Sequence, residues 1–231
     1  MQGSVVTYSA AEQAKPDRYE EILSAAAECF RQQGFAATSI DTVARYLGST
    51  KGRIYHYFPS KMDLFNVVRD RGMELAFEGV MPGYETKGDP VERLALMAHG
   101  HVLTMIQCHA FMQVLLDGLR MRRYGATTDF QRQALERHLE QRNEFERMFR
   151  DVIQEGIEAG QFREGAVSFV VQSFLVTVNG PVFWYVEREG DDLTKFQRIA
   201  DEVVGFAMGG LGVQWTAEMT RKIKQNTGVS K

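Results

Sequence analysis

Apolar side chains at Ile22, Leu23, Ala26, Ala27 and Phe30 recur at the spacing of one helical face, after the start signals Pro16 and Asp17 and ahead of a stop at Gly34. A second, shorter period follows at Ile40, Val43, Ala44 and Leu47, with Thr38 or Ser39 able to cap it and Gly48 to end it. After a turn of two or three residues, Thr50 opens a third short helix, KGRIYHYF, which Pro59 and Ser60 interrupt. A longer fourth helix then runs from Ser60 to about Met81. Beyond Pro82 the pattern stays helical over roughly 90–107, 109–124, 128–160, 165–188 and 193–211, between joints such as ETKGDP and EREGDD. No segment alternates like a strand. The expected fold is all-α, with a small front domain (12–66), a larger helical bundle (67–215) and a C-terminal tail (216–231). The first eleven residues and the tail are polar and expected to be loose.

Composition narrows the class of partner. Across 231 residues the formal charge is −3, so an anion-binding surface must be local. Residues 42–62 supply one: Arg45, Lys51, Arg53 and Lys61 occur there with no Asp or Glu. Two cysteines, Cys29 and Cys108, and an N-terminus with neither basic start nor apolar run fit a reducing cytoplasm. The apolar stretch 168–186 is short for a membrane span and carries Gln172, Ser173, Asn179 and Pro181, so it reads as a buried helix or helix pair.

Two short helices joined by a tight turn, the second bearing basic and aromatic side chains, have the organisation of a helix-turn-helix whose second helix enters the DNA major groove. Lys51 and Arg53 suit phosphates or guanine edges, Gly52 allows close backbone approach, and Tyr55 and His56 can donate to phosphate oxygens. The bland alternative is a solvated basic surface over inward Ile54 and Phe58.

The order of residues adds to this. Phe30, Gly34, Phe35, Thr38, Ser39, Ile40, Val43, Ala44, Gly48, Gly52, Ile54, Tyr55, Tyr57, Phe58, Ser60, Lys61 and Leu64, at their spacings, closely resemble the DNA-binding domain of the TetR (tetracycline-repressor-like) family over residues 18–66. The resemblance implies a homodimeric all-α regulator, with an N-terminal three-helix helix-turn-helix domain and a C-terminal bundle for ligand binding and dimerisation. It implies recognition by residues 50–56, backbone phosphates held by Thr38 or Ser39 and by Tyr55, a groove-facing set of Lys51, Arg53 and His56, and Lys61 as a phosphate clamp. Ser49, Thr50, Gly52 and Tyr57 complete the expected DNA-binding set. Two positions depart from the family: Ser49 replaces an aliphatic residue, and Arg53 stands where a small hydroxyl is common.

The rear bundle offers less. Its thioether and aromatic side chains suit an adaptable apolar cavity, and the expected lining is Met73, Phe77, Met105, Phe111, Met112, Phe145, Phe149, Phe183 and Trp184, with His101, Thr104 and Asn179 orienting a ligand. Arg120–Tyr124 could meet a carboxylate or the phosphates of an acyl-coenzyme A. QEGIEAGQFR followed by a helix carrying FWYVEREG resembles family members that answer to acyl-CoA thioesters, so the expected effector is an acyl-CoA or an apolar or aromatic compound. HGHVLTMIQCH lacks the four-residue histidine spacing of a helical metal site. The helices over 165–188 and 193–211 are the expected dimer face. GSTKGR lacks Walker spacing, and neither GxSxG nor HExxH occurs, so no enzyme, cofactor or metal is expected. The competing class is a helical adaptor whose basic patch binds an acidic protein.

Overall fold

The computed structural model describes residues 16–120 and 129–226. It is helical throughout, with no strand among the described residues. The chain divides into two compact units between Asp70 and Arg71.

The first unit holds α1 (Pro16–Ala37), α2 (Ile40–Tyr46), α3 (Lys51–Tyr57) and the opening turns of α4 (Lys61–Glu85). Its core is the set the periodicity marks out: Ile22, Leu23, Ala26, Phe30, Val43, Ile54, Phe58 and Leu64 are all at most 4% exposed. Phe65 packs edge-on against both Phe30 (5.1 Å between centroids) and Phe35 (4.7 Å). Regular geometry in α1 fails at Gly34, where φ is 75°. Gly48, at φ 63°, performs the same service after α2, and the Ser49 amide reaches back to the Ala44 carbonyl at 2.8 Å. Ser39 accepts from the Thr42 amide (3.1 Å) and Thr50 from the Arg53 amide (3.4 Å), so both short helices carry side-chain N-caps. The turn orienting α3 is therefore fixed by local chemistry.

In the second unit α5 (Pro90–Gln107) is the central element, packed by α10 (Leu193–Gly210), α7 (Asp129–Glu158), α8 (Val167–Asn179) and α6 (His109–Arg120). Most of its residues are buried, as expected of a helix apolar on nearly every side. Gly79 of α4 and Gly100 of α5 bring the two backbones together so closely that a methyl group on either would overlap its neighbour.

Of the helix or helix pair expected over 168–186 the structure has the pair, α8 and the short α9 (Pro181–Trp184), parted at Gly180-Pro181 because proline has no amide hydrogen to continue the ladder but suits a first helical position. Two expectations need correction. The fourth helix passes through Pro82 and ends at Glu85 rather than near Met81. Residues 217–226, expected to be loose, form α11 (Ala217–Asn226), which packs on α5 with Ile223 3% exposed and Lys222 2.6 Å from Glu92.

Candidate DNA-binding face and effector cavity

Helix α3 has two faces. Ile54 is fully buried and Phe58, just past its end, is 2% exposed. Lys51, Gly52, Tyr55 and His56 face outward, and nothing lies within 4 Å of where a Gly52 side chain would begin. Tyr57 turns half inward, edge-on to Tyr19 at 6.0 Å. The cations are not isolated. Lys51 lies 3.2 Å from Asp41, and Arg53 donates from Nη2 to Glu21 at 3.2 Å and from Nη1 to Ser49 Oγ at 3.4 Å. Exposed pairs of this kind are worth at most about 1 kcal/mol, so phosphates or base edges can replace the carboxylates at little cost. Tyr46, at the end of α2, is 55% exposed and lines a surface groove with Glu21, the partner of Arg53. The sequence reading missed it, because Tyr46 stands three residues after Val43, at the edge of the apolar face, and so looks like part of the core.

Two expected phosphate ligands serve the fold instead. Thr38 is 1% exposed, and its one hydroxyl hydrogen is shared between the carbonyls of Gly34 (2.8 Å) and Cys29 (3.1 Å) of α1. Lys61 Nζ donates to the carbonyls of Phe35 (2.7 Å), Thr38 (2.8 Å) and Ala36 (3.4 Å), and rests 4.3 Å over the Phe35 ring. An ammonium has three hydrogens, and all three are directed at carbonyls of the α1–α2 corner. The free end of α1 would otherwise leave those acceptors without partners.

In the second unit, a cavity of about 200 Å³ is walled by α4, α5, α6, α7 and α8. Met73, His101, Met105, Phe145 and Asn179, five of the expected residues, line it. Ala76, Leu115, Leu116, Leu175, Val176 and the polar His138, Arg142, Glu146 and Gln172 complete the wall. His101 is 1% exposed, its ring 5.2 Å from Phe145, and its Nε2 donates to Asn179 Oδ1 at 2.7 Å. Burial pushes its pKa down to about 4, so the imidazole is neutral near pH 7.

The other seven expected lining residues lie elsewhere. Phe149 and Met112 are fully buried core, and Phe77 packs edge-on behind Phe145 at 5.4 Å. Thr104 donates to the Gly100 carbonyl (3.0 Å) and Phe111 packs half-buried against the core. Phe183 and Trp184 are 67% and 55% exposed, because the Gly180-Pro181 break turns them outward. They join Phe169, Val176 and Phe206 in an exposed apolar surface on α8, α9 and α10, so the stretch expected to be buried is largely open. Val167–Trp184 is apolar and long enough to cross a membrane by composition, with 28% of it buried. Arg120 ends α6, and the side chains of the Arg120–Tyr124 run lie outside the described residues.

Comparison with known proteins matches residues 22–68 to a family described as bacterial regulatory proteins, tetR family, and residues 87–211 to one described as tetracyclin repressor-like, C-terminal domain. The HTH-type transcriptional repressor KstR2 of Mycobacterium tuberculosis is 28% identical over 196 residues, covering 84% of this chain and 92% of its own. A solved structure of that organism's ketosteroid transcriptional regulator KstR2 shares the fold at a TM-score of 0.72 and 23% identity, over 90% of this chain and 97% of its own. AibR, solved in complex with isovaleryl coenzyme A and operator DNA, has a TM-score of 0.65 and 22% identity, over 82% of this chain and 97% of its own.

Proposed function

The chain belongs to the TetR family of bacterial regulatory proteins, transcription regulators rather than enzymes, and on that premise we propose a homodimeric repressor released from a palindromic operator by a small apolar, aromatic or acyl-CoA-type effector. The observation that carries the reading is α3: a short capped helix anchored through Ile54 and Phe58, presenting Lys51, Gly52, Arg53, Tyr55 and His56 outward with its cations in replaceable pairs. Ser39, Ser49 and Thr50 hold the turn that aims it. The DNA-binding domain is assigned to residues 12–66 and the effector and dimerisation domain to 67–215.

The exposed apolar surface of α8–α10 supports dimerisation. Phe169 and Phe206 are each 77% exposed, more apolar surface than a monomer ordinarily leaves in water. Covering it with a second copy gives that stretch a role in a protein acting on DNA in the cytoplasm. A two-fold dimer places two α3 helices one DNA turn apart, roughly 34–36 Å, and so calls for a palindromic site.

Helix α4 links the two tasks. Its Lys61 ties the α1–α2 corner, and its Met73 and Ala76 belong to the cavity wall. An effector that favours one position of α4 over another changes the separation of the recognition helices, provided that it binds the two states unequally. Repression rather than activation follows the naming of the KstR2 relative, and the acyl-CoA class follows the AibR complex and the short cavity.

The test is a titration of purified protein against duplexes from its own upstream region, with and without acyl-CoA thioesters, free acids and aromatic compounds. Sequence-specific binding released by one class is expected; binding indifferent to sequence at moderate salt would defeat the reading. Arg53→Ala is expected to lower preference for the operator over a mismatched site by about 1–3 kcal/mol.

A further inference from the structure

Four ionisable side chains line the cavity, and they differ in what already engages them. Glu146 uses one carboxylate oxygen for Arg150 and the other for Gln172 at 2.7 Å, so its charge is already paired. His138 is 2% exposed and has a partner of its own. His101 is held to Asn179 and is neutral. Arg142 remains. It is half-buried in the wall, and its guanidinium has no carboxylate or hydrogen-bond partner among the described residues. The cavity thus carries one positive charge that no lining acid balances.

A second unfilled requirement lies at Asn179. Its Oδ1 is taken by His101 Nε2–H, which fixes the orientation of the amide, and its two Nδ2 hydrogens find no acceptor among the described residues. The lone guanidinium and the amide N–H are the unpaired donors of this wall; its one carboxylate already faces two donors, and the acceptors beside it are the unprotonated His101 Nδ1 and the Gln172 carbonyl oxygen. The remaining wall is aliphatic, thioether or aromatic: Met73, Met105, Leu115, Leu116, Phe145 and Leu175. At about 200 Å³ the space is below the ~300–1,000 Å³ of pockets for drug-sized ligands, which suits a chain of a few carbons better than a fused ring system.

We infer that Arg142 and the Asn179 amide, with His101 as the positioning residue behind it, are the polar end of the effector cavity and select a short-chain acid or acid derivative, a small apolar body bearing a carbonyl and a negative charge. This rests on the effector reading given above and specifies its ligand. The carbonyl accepts from Asn179 Nδ2, and the anion sits against Arg142. The charge belongs either to a free carboxylate or to the phosphates of a carrier thioester whose bulk stays outside the cavity; the chemistry at Arg142 is the same.

Calorimetric titration of the full chain with hexanoate, hexanoyl-coenzyme A, coenzyme A alone and hexan-1-ol separates these cases. The expected result is that hexanoate or hexanoyl-coenzyme A binds about ten- to a hundredfold more tightly than hexan-1-ol. Binding of hexanoyl-coenzyme A without hexanoate identifies the carrier, and binding of coenzyme A alone with equal strength overturns the acyl-cavity assignment. Arg142→Gln should abolish the preference for the anion, and Arg142→Lys should keep much of it. Asn179→Leu should weaken the carbonyl compounds more than hexan-1-ol. His101→Leu should lower that carbonyl preference, and His101→Gln, which can still donate to Asn179 Oδ1, should restore it; a loss of melting temperature with the preference intact would reduce His101 to a packing role. Anion preference retained in Arg142→Gln, hexan-1-ol binding as tightly as the acids, or no binding of any probe overturns the inference. Operator binding by the same preparations, followed in parallel, tells that outcome apart from failure of the regulator reading, since the wild-type protein would still select its site.

Discussion

The two units handle polar groups in opposite ways. On the first, Lys51 and Arg53 stand in the open beside Asp41 and Glu21, in pairs that water and salt already weaken. In the second, His101 and Asn179 form one hydrogen bond inside a wall of apolar side chains, where an unmade bond costs far more. The first arrangement suits a polyanion that must be gripped and released, because carboxylates exchange for phosphates at small cost. The second suits a small molecule that must be told from others like it, because buried donors penalise a ligand that cannot accept. Lys61 shows that exposure near the DNA face does not by itself place a cation in the first class. Its three carbonyl partners make it a fastening of the fold.

The largest effect expected to sharpen this contrast therefore falls on Lys61. Replacing it with Met keeps the aliphatic contact with Phe35 but leaves the carbonyls of Phe35 and Thr38 without their charged donor, at about 2–3 kcal/mol. Denaturant unfolding should show the loss, and the salt dependence of DNA binding should stay as in the wild type. A variant of normal stability whose salt slope falls by about 0.9 would return Lys61 to the phosphate-clamp role that the family resemblance implies.

Next in size is the response of His101 to acid. Its folded pKa, about 4, lies below the 6.5 of the unfolded chain, so between these values the unfolded state binds more protons. The contribution of keeping the imidazole neutral is fully present above pH 6.5 and is lost as pH falls toward 4. At pH 5 the loss is on the order of 2 kcal/mol relative to pH 7. Unfolding titrations of wild type and His101→Leu at the two pH values should show a pH-dependent difference of that size. A wild-type protein no more acid-sensitive than the variant would mean that water reaches His101, and the contrast between an open and a closed polar site would fail.

What the sequence made legible follows the range of each interaction. The Ile22–Phe30 and Ile40–Leu47 periods, the caps at Ser39 and Thr50 and the stops at Gly34 and Gly48 depend on neighbours within a few residues, and they were readable. The Arg53–Glu21 pair joins positions 32 residues apart, and Lys61 reaches 26 residues back to Phe35, so neither could be seen in the basic run alone. The cavity was readable in kind but only partly in membership. Met73, His101, Met105, Phe145 and Asn179 fitted a mixed apolar and polar lining, whereas Arg142 and Gln172 belong to the wall only because five helices converge there, which no local pattern shows. Phe183 and Trp184 misled because aromatic content cannot tell inward from outward in a segment apolar on every side, and the Gly180-Pro181 break decides which way they turn.

The smallest effect on stability is expected at Lys51, and it tests the other half of the comparison. Its partner Asp41 is about as exposed as itself, 52% against 57%, so Lys51→Ala should change folding stability by no more than about 0.5 kcal/mol. The same change removes one cation from the outward face of α3. If that cation meets a phosphate, affinity should fall for all duplexes alike, and the slope of log affinity against log salt should lose about 0.9 for each subunit bound. Asp41→Asn probes the pair from its other side: with the competing carboxylate neutralised, Lys51 is freer to meet DNA, and affinity should rise slightly rather than fall. A loss of stability in either variant comparable to that of Lys61→Met would show that the open pairs on α3 hold the fold as the Lys61 corner does, and the division between replaceable and structural cations would be wrong.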